Sequence, residues 1–246
     1  ILFLYRHVLG TQLPWVDDVV IAKVPQRLPV VLTAREVRSL LHELNGTTAL
    51  VASLLYGTGM RLMEGLRLRV KDIDFERREI VIREGKGSKD RVTVLPENLI
   101  EPLQQRLRKT QQVHQADLDA GYGEVHMPDA LHAKYPKAGR AWGWQYVFPS
   151  QARSVDPRSG VIRRHHLSEQ SVQRAISGAA KRAGIHKPCS PHTLRHSFAT
   201  HLLAGGADLR SLQELLGHAS LSSTQVYTAV DTAMLLDEYL NAHPRA

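Results

Sequence analysis

Hydrophobic positions recur along this 246-residue chain with two periods. Around Val37 the spacing is three and four, so that Val37, Leu40, Leu41 and Leu44 share one face of a helix. Thr33-Ala-Arg-Glu36 precedes them as a capping box, and Asn45-Gly46 is the expected stop. Thr47 to Tyr56 is apolar nearly all round, the pattern of a buried helix, and runs into Gly57-Thr58-Gly59. From Val70 the period falls to two. Ile80 and Ile82 alternate with polar residues, Gly85 to Asp90 turn the chain, and Val92 and Val94 return it as a β-hairpin with a flexible, basic tip. Pro96 opens a long polar helix to about Ala120, with Pro102 near its first turns. Ser171 to Ala183 is amphipathic and ends at Gly184, with Gln173, Arg174, Lys181 and Arg182 on its polar side.

The C-terminal third carries the clearest signals. Ser190 can cap a helix, Pro191 suits its first turn, and Gly205-Gly206 ends it. Leu194, Phe198 and Leu202 form its expected buried stripe, while His192 and Arg195, three apart, share another face. Asp208 caps a second short helix bearing Leu209, Leu212, Leu215 and Leu216, and Gly217 stops it. His218 follows that glycine, and Tyr227 lies on a third short segment that Ser222 or Ser223 could cap. A last amphipathic helix over 232–242, with Leu235, Leu236, Tyr239 and Leu240, is too short to stand alone and must dock. The whole predicts a mainly helical α+β fold with a small antiparallel hairpin or sheet.

Three stretches break the pattern. Residues 1–13 read as the tail of a helical domain, with Leu2, Tyr5 and Leu9 at helical spacing, and 14–29 as a linker. The main domain then spans 30–246. Within it, 121–148 looks like an inserted segment with a short helix around Pro128 to Lys134. It holds six of the chain's fourteen Phe, Trp and Tyr residues, interleaved with Lys134, Lys137, Arg140, His126 and His132. Such a mixture suits stacking on unpaired bases above a phosphate backbone. It equally suits a hydrophobic cluster pinning a long loop, the expectation for Trp144, Tyr146 and Phe148. Residues 150–168 are expected as a loop dense in Arg153, Arg158, Arg163, Arg164, His165 and His166 that contacts phosphate, with a merely solvated loop as the alternative.

Charge narrows the partner. A formal +8 points to a polyanion, with nucleic acid the usual one, though charge alone leaves a basic enzyme open. The single cysteine, Cys189, excludes an internal disulfide or a cysteine zinc site. With no apolar run of membrane-spanning length and no visible signal peptide, no membrane association is expected and an intracellular, cytoplasmic site is.

The candidate chemistry is an arginine fork for phosphate, imidazoles for protons and a phenol as nucleophile. Singly, these residues read as ordinary surface or half-buried groups. Their order, His192-x-x-Arg195, then Leu216-Gly217-His218, then Tyr227, resembles the tyrosine recombinase (phage integrase-like) family. The Gly57–Glu64 box resembles that family's first catalytic arginine, Arg61, with Glu64 as its buttress; read from the residues alone, the two could be a surface ion pair. Lys86 of Gly85-Lys86-Gly87 matches the family's hairpin lysine better than Lys89. The resemblance implies that Tyr227 attacks the scissile phosphate to form a 3′-phosphotyrosine, that Arg61 and Arg195 clamp the non-bridging oxygens, and that Lys86 protonates the leaving oxygen. It makes His192 the base and His218 a donor to phosphate, with no cofactor or metal. His192, His196 and His201 lack both a His-Glu-x-x-His pattern and a nearby carboxylate, so a metal site is not expected.

The insert is similar to the extra segment of integron integrases, which implies contacts to extrahelical bases of a folded single-stranded site. Lys89, Pro128, His132, Trp142, Arg163, Arg164, Gln173 and Arg174 are the expected DNA-contacting residues. The family also implies a tetramer on DNA, joined through 232–242, in the bacterial cytoplasm beside the nucleoid. It further implies an N-terminal DNA-binding domain that is almost wholly missing here, and hence weak, salt-dependent binding. A Xer-like or phage-type enzyme on duplex sites is the alternative within this chemistry, and the insert argues against it. A non-catalytic DNA-binding protein would need no nucleophile, and a metal nuclease would need clustered acids that are not found.

Overall fold

The computed structural model describes residues 4–10, 29–83 and 90–217. Most of the predicted linker, the hairpin tip with Lys86 and Lys89, and everything from His218 onward, including Tyr227 and the 232–242 helix, lie outside the described residues. Before the main domain, Leu4–Val8 forms one π-helical turn.

Helix α1, Ala34–His42, starts as its capping box dictates: Thr33 N donates to Glu36 Oε2 at 2.7 Å, and Glu36 N to Thr33 Oγ1 at 3.2 Å. It stops at His42, short of the expected Asn45-Gly46. Those two residues begin helix α2, Gly46–Thr58, because Gly46 at φ +59° makes the left-handed reversal between the helices. Helix α2 buries Val51, Ala52, Leu54 and Leu55 and packs against α1 and four helices met later in the chain, which explains its all-round apolar sequence. Gly59, left-handed at φ +66°, ends it. A Cβ there would collide with the Phe198 ring and come within 2.9 Å of Leu216 Cδ2.

Helix α3 is short, Leu62–Leu66. Strands β1 (Ile73–Asp74), β2 (Glu79–Ile82) and β3 (Arg91–Val94) follow as an antiparallel sheet in that order. The register pairs Ile80 with Thr93 and Ile82 with Arg91. Directly opposed residues share a sheet face, so Arg91 and Thr93 join the buried isoleucines on the inner side. Val92 and Val94, which mark the strand in the sequence, point outward at 51% and 60% exposure.

Helix α4, Glu97–Asp119, contains Pro102 as its sixth residue. The segment from 121 to 148 contains helix α5, Asp129–Lys134, and 3-10 turns at Ala138–Arg140 and Trp142–Trp144. The expected loop over 150–168 includes a small hairpin, β4 (Ser154–Val155) against β5 (Ile162–Arg163). Helices α6 (Glu169–Arg182), α7 (Pro191–Ala204) and α8 (Leu209–Leu216) complete the described chain.

One core joins Leu40, Leu54, Leu66, Ile80, Leu103, Phe148, Ile176 and Leu194. A smaller cluster of Ala199, Leu212 and Leu216 fastens α8 to α7, with Phe198 and Leu202 partly buried against it. Thus α7 has no clean four-residue stripe: Leu194, Arg195, Ser197 and Ala199 are all buried because the helix is enclosed on several sides. Ser197 Oγ donates to Thr193 O at 2.8 Å and accepts from Leu32 N at 2.9 Å, tying the domain's first segment to α7.

Candidate active site and the adjoining basic cleft

Arg61 sits immediately before α3, where its backbone N donates to Glu64 Oε2 and its Nη1 to Glu64 Oε1, both at 2.8 Å. The pair exists, but not on the surface: the Glu64 side chain is 8% exposed and that of Arg61 25%. Arg91 completes the arrangement from β3. Its Nη1 and Nη2 donate to the two Glu64 oxygens at 2.9 and 2.6 Å, and its Nε to Leu215 O at 3.0 Å. Burial alone would raise the Glu64 carboxyl. The Arg91 hydrogen bonds, the Arg61 amide, the Arg91 charge and the Arg61 guanidinium bond overrule it and hold the group at about 2.

The other arginine is deeper. Arg195 is 4% exposed and donates from Nη1 to Gly59 O at 2.6 Å and from Nη2 to Leu216 O at 2.7 Å. His192, on the first turn of the same helix, is exposed. His196 is half-buried, and burial followed by the nearby His192 and Arg195 pushes its imidazole pKa down. The backbone from Gly59 to Arg61, Glu64, Arg91, the C-terminal turn of α8 and Arg195 therefore form a closed circuit. It brings Arg61 and Arg195 into one frame. Lys86, His218 and Tyr227 lie outside the described residues.

Sequence reasoning does not single out Arg91. Beside a lysine-bearing turn it reads as an edge charge, and the parity linking it to Ile82 emerges only from the hairpin register.

A cleft of about 940 Å³ adjoins Arg61 and Glu64 and is walled by Arg67, Arg83 and the insert residues His126, Pro128 and Trp144. Arg69 fixes the insert to the body. It donates to Trp144 O, His126 O and Tyr146 Oη at 2.8, 2.9 and 3.1 Å, and stacks over the Tyr146 ring at 3.8 Å. Gln145 Nε2 is satisfied within the insert by Gly123 O and Gly139 O. Tyr146 and Phe148 are buried, as the loop-pinning expectation has it. The two tryptophans differ from expectation. Trp142 is half-buried with its ring 6.0 Å from that of His114, whereas Trp144 lines the cleft with Lys71 Nζ 2.9 Å above its ring. Desolvation there lowers the Lys71 ammonium. Pro128 lines the cleft; His132 lies on α5.

Two of the arginines of 150–168 carry ion pairs that the sequence does not foretell, while Arg158 is exposed and lines the cleft. Arg163 pairs with Glu124 at 2.7 Å and Asp156 at 3.0 Å, at 11% exposure. Arg164 grips Asp117 through two bonds of 2.6 and 2.8 Å and also donates to Ser150 O. Both guanidiniums are paired with carboxylates that brace the β4–β5 region against the insert and the end of α4, while both residues also line the cleft. His165, also lining the cleft, is held down to about 4 by desolvation and by the adjacent His166, Arg69 and Arg67. Gln173 and Arg174 are exposed on α6, as expected. Among the described residues, no helix is long and apolar enough to cross a membrane.

Residues 30–234 match the phage integrase family. An integrase/recombinase of Escherichia coli is 52% identical over 230 residues, covering 94% of this chain and 68% of its own. The tyrosine recombinase XerD of Bifidobacterium longum is 36% identical over 254 residues, covering 98% and 72%. Among solved structures, the XerA recombinase superimposes with a TM-score of 0.61 at 29% identity, covering 90% of this chain and 68% of that one. A XerH site-specific recombinase bound to a palindromic difH substrate in a post-cleavage complex gives 0.61 at 26%, covering 89% and 54%. The circuit of arginines around Glu64 and α8 thus stands in a chain that belongs to the phage integrase family, the tyrosine recombinases.

Proposed function

We propose that this chain performs site-specific DNA recombination as a DNA strand transferase, using Tyr227 as nucleophile and Arg61 and Arg195 as the phosphate clamp. The observation that supports this most is the bracing of both arginines on one frame. Negative charge builds on the non-bridging oxygens as the phenol attacks, and prealigned guanidiniums stabilise it without reorganising. A phenol with a pKa of about 10 requires a base, the role given to His192, and the departing 5′-oxygen requires a proton, the role given to Lys86. His218 donates to the phosphate. The phosphotyrosine retains the energy of the broken ester, so religation to a second strand requires no further activation.

The finer reading is an integron-type integrase that moves gene cassettes, takes folded single strands with extrahelical bases, and works as a tetramer joined through 232–242. The cleft between Arg61 and the 121–148 insert supports it, since Trp144 and Pro128 offer stacking surface beside the clamp. Xer-type action on duplex sites is the competing reading, favoured by the identity to XerD. A nicked suicide substrate, in which the short leaving fragment diffuses away, separates them. Offered as a bulged hairpin and as a perfect duplex, it should trap a denaturant-resistant adduct in wild type and none in Tyr227→Phe. Preference for the hairpin supports the integron reading and preference for the duplex the Xer reading. An adduct that persists in Tyr227→Phe would overturn the nucleophile assignment.

A further inference from the structure

Arg91 joins two parts of the site through one side chain. Toward α3 it makes a two-pronged bond to Glu64, which in turn holds Arg61 at both its amide and its Nη1. Toward α8 its Nε bonds Leu215 O, and the next carbonyl, Leu216 O, receives Arg195 Nη2. The stop of α8 also sits against the same side chain: a Cβ on Gly217 would lie 2.9 Å from Arg91 Cδ and 3.1 Å from Nη1. Apart from its junction with α7, the main packing partner of α8 among the described elements is β3, the strand that carries Arg91. The Nε, Nη1 and Nη2 of Arg91 are each engaged in this bridge, and Arg91 does not line the cleft beside Arg61.

We infer that Arg91 is a positioning residue, which sets the spacing of Arg61 and Arg195 by tying Glu64 to the C-terminal turn of α8. This rests on the recombinase reading of the two arginines. The bridge uses three directed donors of one planar guanidinium, and a lysine ammonium in its place could not hold a carboxylate fork and a separate carbonyl together. The consequence is kinetic. A clamp displaced by about 1 Å binds substrate nearly as well but loses up to about 10²-fold in the bond-breaking step.

The test uses the nicked suicide substrate with wild type, Arg91→Lys and Arg91→Gln. Three quantities are read: Kd for DNA, the first-order rate constant of adduct formation at saturating protein, and the amplitude of adduct. Both variants should lose about 30- to 100-fold in rate constant with Kd within about threefold of wild type. A merely structural role would reduce the amplitude, the share of competent molecules, and leave the rate constant unchanged; that result overturns the inference. So does a loss confined to Kd. Should Arg91→Gln not fold, Arg91→Lys, which keeps the charge, carries the same test. Combining Arg91→Gln with Glu64→Gln should lower the rate constant little beyond the worse single variant, since both break one bridge, and multiplicative losses would refute it. No adduct in wild type would instead count against the recombinase reading itself.

Discussion

Replacing Glu64 with Gln removes a carboxylate that receives four N–H donors from Arg61 and Arg91 while 8% exposed. An amide presents one oxygen and one NH₂, so at least one guanidinium prong would face a donor. Losing one partner of a buried pair costs about 3–5 kcal/mol, because the remaining charge stays desolvated. A second route gives a similar size. The Glu64 carboxyl is held at about 2 against an ordinary 4.5. A depression of that size corresponds to roughly 3 kcal/mol of stability at neutral pH. The sign follows from the depression: the contribution is complete above the unfolded-state value and fades as pH falls from about 5 toward 2. Urea unfolding of wild type and Glu64→Gln at pH 7, 5, 4 and 3 should therefore show a gap of about 3 kcal/mol that narrows in acid, with wild type changing more. A gap below about 1 kcal/mol at pH 7, or one that stays constant down to pH 3, would refute the reasoning.

Other substitutions probe separate parts of the structure. Gly59→Ala should destabilise by about 2–4 kcal/mol in urea, combining left-handed strain with overpacking against Phe198 and Leu216; a cost under about 1 kcal/mol would count against it. Val94→Thr should change stability by less than about 0.5 kcal/mol while Ile80→Ala costs about 2–5, since only the isoleucine faces the core; a reversed order in thermal unfolding would contradict the register. Arg69→Met should loosen the insert, seen as faster limited proteolysis within 121–148 at little cost to helix content, and unchanged cleavage would remove its anchoring role. Trp144→Ala should weaken binding of a bulged hairpin by about 1–3 kcal/mol and Trp142→Ala should not; equal effects would overturn the assignment of the cleft wall.

Much of the helix plan is legible in the sequence because its signals are local. The Thr33 box, the Ser190 and Asp208 caps and the left-handed stops at Gly59 and Gly217 each satisfy backbone groups within about four residues. Gly46 reads as a stop and acts as a start, because the same conformational freedom serves either end of a helix and spacing alone does not say which. The order of Arg61, His192 and Arg195, followed in sequence by His218 and Tyr227, points to the family for a related reason: it is a one-dimensional pattern.

Partner choice is not one-dimensional. Arg91 meets Glu64 across 27 residues, Arg164 meets Asp117 across 47, and Arg195 meets Gly59 across 136. Each arginine reads alike in sequence, yet Arg91 is a bridge away from the cleft, while Arg61, Arg163 and Arg164 line it, each held by a carboxylate. Which tryptophan lines that cleft is likewise a matter of packing, with Trp142 turned onto His114 and Trp144 set under Lys71. Local sequence is enough to mark most helix ends and the chemistry the chain carries, since caps, stops and periodicity act over a few bonds. Which charges line the cleft and which are paired away from it depends on the folded arrangement. A buried charge must find its counter-charge wherever the fold brings one within reach.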